Sequence, residues 1–70
     1  MNITRTIQLF KLDSTGKRSL VAARPLDNPS LALIRDTVDV MAGERGYKPG
    51  DGFAVVLNED GTIIDKLNIN

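Results

Sequence analysis

Acid-base chemistry in this chain would depend on carboxylates, because the sequence contains neither histidine nor cysteine. Asp36 and Asp39 stand three residues apart, a spacing that places them on one side of a helix. Both lie away from the apolar positions of that segment, and Arg35 lies beside them, so the pattern does not indicate the burial that raises a carboxyl pKa for catalysis. We therefore expect both carboxylates to face solvent.

Nucleophilic catalysis, calcium binding and phosphate binding find no support in the pattern. The hydroxyl side chains have no histidine to activate them and no glycine-flanked turn around them. A calcium loop aligned on Gly61 would put Val56 at its first ligand position and Leu67 at its last, and neither side chain can bind a cation. The glycine-rich segment 48–52 leads into a predicted strand, whereas phosphate loops lead into a helix. We expect a protein that is not an enzyme and has no cofactor or metal.

One observation favours nucleic-acid binding, which is the excess of basic residues in the first 35 positions. The net charge is zero, but residues 1–35 include six basic and two acidic residues, while residues 36–70 include three basic and seven acidic residues. Phosphate affinity depends on lysine and arginine, and the ring of Phe10 offers a stacking face for a base. The candidate residues for this alternative function are Arg5, Lys11, Lys17, Arg18 and Arg24.

The elements that would position these side chains begin with a hairpin. Alternating apolar residues predict a strand over residues 3–12. Phe10 is out of phase with this alternation, which indicates either a bulge near Leu9 or coverage of both strand faces. Residues 13–16 have the composition of a turn, and a second strand is predicted over residues 17–24.

A helix is predicted to follow. Asn28 can cap it, and Pro29 then occupies the first helical position, where no amide donor is needed. Gly43 or Gly46 ends the helix, and the pattern favours Gly46. Three-four spacing predicts one apolar stripe along this helix, made by Leu31, Ile34, Val38, Met41 and Ala42.

The residues after the helix predict a second hairpin. Pro49 and Gly50 stand at the central positions of a type II turn. Residues 53–57 are all apolar, which is typical of a central strand, and residues 63–69 form the fourth strand after a turn at 58–61.

The resulting order of elements is ββαββ. Because the first and third strands are the most apolar, we expect them in the middle of an antiparallel sheet of order 2-1-3-4, with the helix on one face. This α+β fold is predicted to form one domain over residues 1–70. We expect a cytoplasmic protein, since the sequence lacks cysteine and has neither the pattern of a secretory signal nor a membrane-spanning segment.

The predicted helix carries a second apolar strip. Leu33 and Val40 lie seven residues apart, away from the main stripe and beside Asp36. Exposed apolar pairs at this spacing suit the groove of a partner or a self-association surface. We therefore predict a protein-binding surface at Leu33, Asp36 and Val40, or at Arg18 and Arg24 on the edge of the first hairpin. A homodimeric accessory protein is a further alternative, because small domains with surplus apolar surface often complete their core by dimerising.

In layout and size, the chain from Met1 to Asn70 resembles the small inhibitors that phages use against host defence complexes, of which anti-CRISPR proteins are one example. The resemblance covers the ββαββ arrangement over most of the chain and includes no shared motif, so it assigns a role to no residue. It implies a non-enzymatic inhibitor that blocks a protein or a guide-RNA complex by surface complementarity.

Overall fold

The computed structural model describes residues 2–70 and contains, within them, four strands and one helix. Their bounds are Thr4–Leu12 for β1, Arg18–Asp27 for β2, Leu31–Glu44 for α1, Gly52–Leu57 for β3 and Ile63–Asn68 for β4. The strands form one antiparallel sheet in the order β2-β1-β3-β4. The predicted α+β class, the ββαββ order and the sheet order are confirmed.

The core lies between α1 and one face of the sheet. Ile7 pairs with Val56 and Leu9 with Ala54 across the two central strands, and all four side chains are at most 1% exposed. Residues two apart on a strand share a face, so these four form a continuous apolar floor for the helix. The helix covers that floor with Ile34, Val38, Met41 and Ala42.

The start of α1 differs from the sequence-based expectation. Ser30 is the N-cap, and its hydroxyl oxygen accepts the backbone N–H of Leu33 at 3.1 Å. The side-chain oxygen of Asn28 instead accepts the backbone N–H of Ile3 at 2.8 Å, and its φ of 48° is left-handed. The prediction of Asn28 as the cap was wrong because that side chain holds the beginning of the chain against the end of β2.

The end of α1 is as predicted, with Gly46 next to the C-cap residue Arg45. Gly46 adopts a φ of 70° and donates its N–H to the carbonyl of Gly43 at 3.1 Å. Tyr47 donates to the carbonyl of Ala42 at 3.0 Å. This pair of bonds is the Schellman motif, which satisfies carbonyls that have no partner within the helix.

The first hairpin contains a β-bulge beside Leu9, one of the two alternatives from the sequence, but the extra residue is on β2 while β1 keeps its regular alternation. Leu9 lies opposite Ala22 while Phe10 lies opposite Leu20, so Val21 is an extra residue on β2. β2 also continues past Pro25 to Asp27, three residues beyond its predicted end. Proline is tolerated there because β2 is an edge strand with no neighbour on its outer side.

Candidate protein-binding surfaces

The first candidate surface is the side of α1 that faces away from the core, here called the outer helix surface and made by Leu33, Asp36 and Val40. Leu33 is 44% exposed, Val40 is 52% exposed and Asp36 is also exposed. Seven residues of helix separate the two apolar side chains by about 10 Å along the axis. The exposure expected from the sequence is therefore present at all three positions.

Arg24 borders the outer helix surface, although the sequence suggested it as part of a separate hairpin surface. Its guanidinium lies 3.7 Å from the carboxylate of Glu44. Glu44 is four residues after Val40, so it occupies the same side of the helix. The ion pair is exposed and contributes little to stability, but it shows which side of the sheet Arg24 faces.

Arg18 lies on the opposite face of the sheet, which no helix covers and which is here called the open face. Its guanidinium carbon is 5.8 Å from the centre of the Phe10 ring. Arg18 and Arg24 are therefore not brought together, and only Arg24 adjoins the outer helix surface.

The basic residues proposed for nucleic-acid binding are also divided. Arg5 donates to the side chain of Asn58, while Lys11 lies 5.9 Å from the centre of the Tyr47 ring. Both are on the helix side of the sheet with Arg24, whereas Lys17 is in the turn after β1 and Arg18 is on the open face. The five residues form no continuous basic patch on one face.

The open face carries an aromatic arrangement that joins neighbouring strands. Phe10 and Phe53 pair across β1 and β3, with ring centres 5.3 Å apart. Lys66 lies 4.5 Å from the centre of the Phe53 ring, on the side opposite to Arg18. Phe53 is only 7% exposed, so the rings are in contact with each other and with cations of the same chain. The arrangement favours a structural role for these rings.

The second candidate surface is a groove between the first turn of α1 and the sheet, and sequence reasoning missed it. It has a volume of about 500 Å³ and brings together residues from β1, β3, β4 and the segment before α1. Three of its apolar lining residues, Ile3, Leu31 and Ile64, are exposed. The lining consists of Ile3, Arg5, Asn28, Pro29, Leu31, Ile34, Val56, Ile64 and Asp65.

Leu31 accounts for the failure to predict the groove. It belongs to the three-four stripe, but it is 80% exposed and lies outside the core that the remaining members of the stripe form. Helical spacing assigns a residue to a side of the helix, and it does not say how far along the axis the sheet extends beneath that side. The exposed position of Leu31 is a correction to the predicted stripe.

The carboxylates with perturbed pKa values lie in the two hairpin turns, away from both candidate surfaces. The hydroxyl and amide of Thr15 and the amide of Lys17 donate to Asp13, which lowers the pKa of its carboxyl below the ordinary value of 3.8. Hydrogen bonds from Thr62 lower the pKa of Asp60 in the same way. Both carboxylates stabilise turns, since hydrogen bonds to the charged form favour ionisation.

Asp36 and Asp39 do not form the isolated pair that acid-base catalysis would require. Arg35 approaches Asp39 at 3.7 Å, and its guanidinium also donates to the carbonyl of Asn68 at 2.7 Å. The contact to Asn68 ties the helix to the end of β4. Asp36 remains an exposed charge between Leu33 and Val40.

Residues 2–70 contain no group of three or more acidic side chains placed to hold a metal ion. They also contain no helix with the length and apolar character needed to cross a bilayer. Comparisons with protein-family models, with curated proteins and with solved structures found no match for this chain.

Proposed function

We propose that this chain is a non-enzymatic protein-binding module whose partner covers the outer helix surface. The observation that carries the proposal is the exposure of Leu33 and Val40 on one line of the helix. Full burial of a leucine or valine side chain is worth about 1.5–3 kcal/mol. Covering the exposed half of each would thus contribute about 1 kcal/mol per residue to binding.

The charges around Leu33 and Val40 indicate further properties of the partner. Asp36 lies between the two apolar residues, and the exposed pair of Arg24 and Glu44 lies beyond Val40. A complementary partner presents an apolar depression with a basic group opposite Asp36. The layout resemblance adds the expectation that binding inhibits the partner, which is a protein or ribonucleoprotein complex of a bacterial host.

The test compares capture of partners from a bacterial lysate by the tagged chain and by two variants, Leu33→Asp and Val40→Asp. Both substitutions are at exposed positions, so the fold should be retained, which circular dichroism checks. Ile63→Asp is the matched control, because Ile63 is at least as exposed as Leu33 and Val40 but lies on β4. We expect the wild type and the control to retain a stoichiometric protein and both helix variants to lose it.

Nuclease treatment and light scattering separate the alternatives. Capture that disappears with nuclease would contradict the proposal in favour of nucleic acid, the function suggested by the basic residues of the first hairpin. A stable dimer that captures no other protein would contradict it in favour of a homodimeric accessory role. A protein that binds both helix variants as well as the wild type would rule out the outer helix surface.

A further inference from the structure

We propose that the groove at the first turn of α1 binds an extended peptide segment of a partner protein, with an apolar side chain flanked by an acidic and a basic residue. The inference rests on the proposal that the chain binds protein, but it concerns a different surface. Leu31, at the groove, and Leu33, on the outer helix surface, project from different sides of the helix because two residues of helix turn through about 200°.

The apolar part of the groove provides the first argument. Ile34 and Val56 are buried at its base, while Ile3, Leu31 and Ile64 stand exposed around it. These residues come from distant parts of the sequence, and folding concentrates them at one depression. Its volume of about 500 Å³ lies within the range of about 300–1,000 Å³ that is typical of ligand sites. An apolar side chain of a partner would remove this surface from water.

The two charges of the groove provide the second argument. Arg5 and Asp65 both line it, and within residues 2–70 neither forms an ion pair. The guanidinium of Arg5 donates to the neutral side chain of Asn58, and one oxygen of Asp65 accepts the backbone N–H of Lys66. Both charges can therefore interact with opposite charges on a ligand.

The sheet register sets the spacing between these charges. Ile7 lies opposite Val56, which lies opposite Asp65, and Arg5 is two residues from Ile7. Two strand spacings of about 4.8 Å and an offset of about 7 Å place the Cα atoms of Arg5 and Asp65 roughly 12 Å apart. An extended peptide covers that distance in about three to four residues. The fitting sequence has its acidic residue near Arg5 and its basic residue near Asp65.

The probe for this proposal is a phage-displayed library of random linear peptides, selected on the full immobilised chain. We expect enriched peptides to share a bulky apolar residue between an acidic and a basic residue that are three or four positions apart. A second selection uses the double variant Arg5→Glu with Asp65→Lys, for which the order of the charges in the enriched peptides should reverse. A shared motif without charges, an unchanged order or the lack of any motif would overturn the proposal.

A synthetic peptide of the enriched sequence then locates the site. Leu31→Asp should weaken its binding about tenfold or more, since it places a carboxylate at the entrance of the groove. Leu33→Asp is the matched control in the same turn of helix and should leave affinity within about twofold. Amide NMR shifts should be confined to the residues that line the groove, Arg5 and Asp65 among them. Equal effects of both variants, or shifts elsewhere, would refute the site.

The experiments distinguish a failure of the groove proposal from a failure of the proposal for the outer helix surface. If Leu33→Asp abolishes partner capture and no charged peptide motif is selected, the proposed function stands and the groove proposal fails. If the peptide binds at the groove and partner capture is insensitive to Leu33→Asp, the proposal that the partner covers the outer helix surface is wrong. Concentration-dependent dimers that Leu31→Asp abolishes would identify a second copy of the chain as the occupant and overturn the peptide proposal.

Discussion

Leu31 and Met41 belong to the same predicted stripe of α1, but the structure predicts that their replacement by alanine destabilises the chain to very different extents. Each substitution removes three side-chain heavy atoms. Met41 is 2% exposed within the core cluster, so Met41→Ala should cost about 2–5 kcal/mol. Leu31 is 80% exposed, so only one-fifth of a burial energy of about 1.5–3 kcal/mol is at risk. Leu31→Ala should thus cost about 0.3–0.6 kcal/mol.

The difference between the destabilising effects of Met41→Ala and Leu31→Ala is large compared with the free energy of unfolding expected for a domain of this length, which is about 4–10 kcal/mol. Urea unfolding followed by circular dichroism at 222 nm measures it, since α1 contributes most of that signal. With a slope near 1 kcal/mol per molar urea, Met41→Ala should lower the midpoint by about 2 M or more and Leu31→Ala by about 0.5 M. Equal shifts for the two variants would refute the assignment of Leu31 to an exposed groove. A shift for Leu31→Ala that grows with protein concentration would instead mean that a second copy covers this residue.

Three further predictions concern the backbone and the turns. Ser30→Ala should cost about 1 kcal/mol in urea unfolding, because it removes the helix cap, and an unchanged midpoint would contradict that role. Gly52→Ala should destabilise the chain strongly or prevent folding, because an added Cβ would lie 2.1 Å from the carbonyl oxygen of Phe10; a soluble variant with the wild-type melting temperature would contradict it. The folded-state pKa of Asp13 is lowered, so its stabilising effect is present above the unfolded pKa and is lost as the pH falls through the folded pKa. Asp13→Asn should therefore be less stable than the wild type near neutral pH, with the difference shrinking in acid, and a difference that persists at about pH 2 would exclude the charge as its cause.

Local patterns determined most of the fold. Three features each depend on a few adjacent residues, namely the alternation in the first strand, the Pro49-Gly50 turn and the helix end at Gly46. The structure contains all three. A bulge near Leu9 was one of two alternatives that the sequence left open, but Phe10 could not indicate that the extra residue is Val21 on β2, since β1 itself keeps its two-residue period. These features depend on backbone preferences and on short-range hydrogen bonds, which act in the same way wherever the segment lies in the fold.

The outer helix surface was foreseeable for a similar reason. Helical periodicity alone separates Leu33 and Val40 from the buried stripe, and both are exposed in the structure. The periodicity could not indicate that Arg24 lies beside this surface while Arg18 lies on the other face of the sheet. That separation follows from strand alternation together with the extra residue Val21, which shifts the register of β2.

The sequence by itself determined the elements, their order and which side of the helix is polar, because those depend on residue types at fixed short spacings. Only the tertiary structure decided that Leu31 is exposed, that Asn28 binds Ile3 and that Arg5 and Asp65 share a groove with Ile64. Each of these facts depends on how far one element extends over another. That distance results from packing among residues far apart in the chain, so no local pattern contains it.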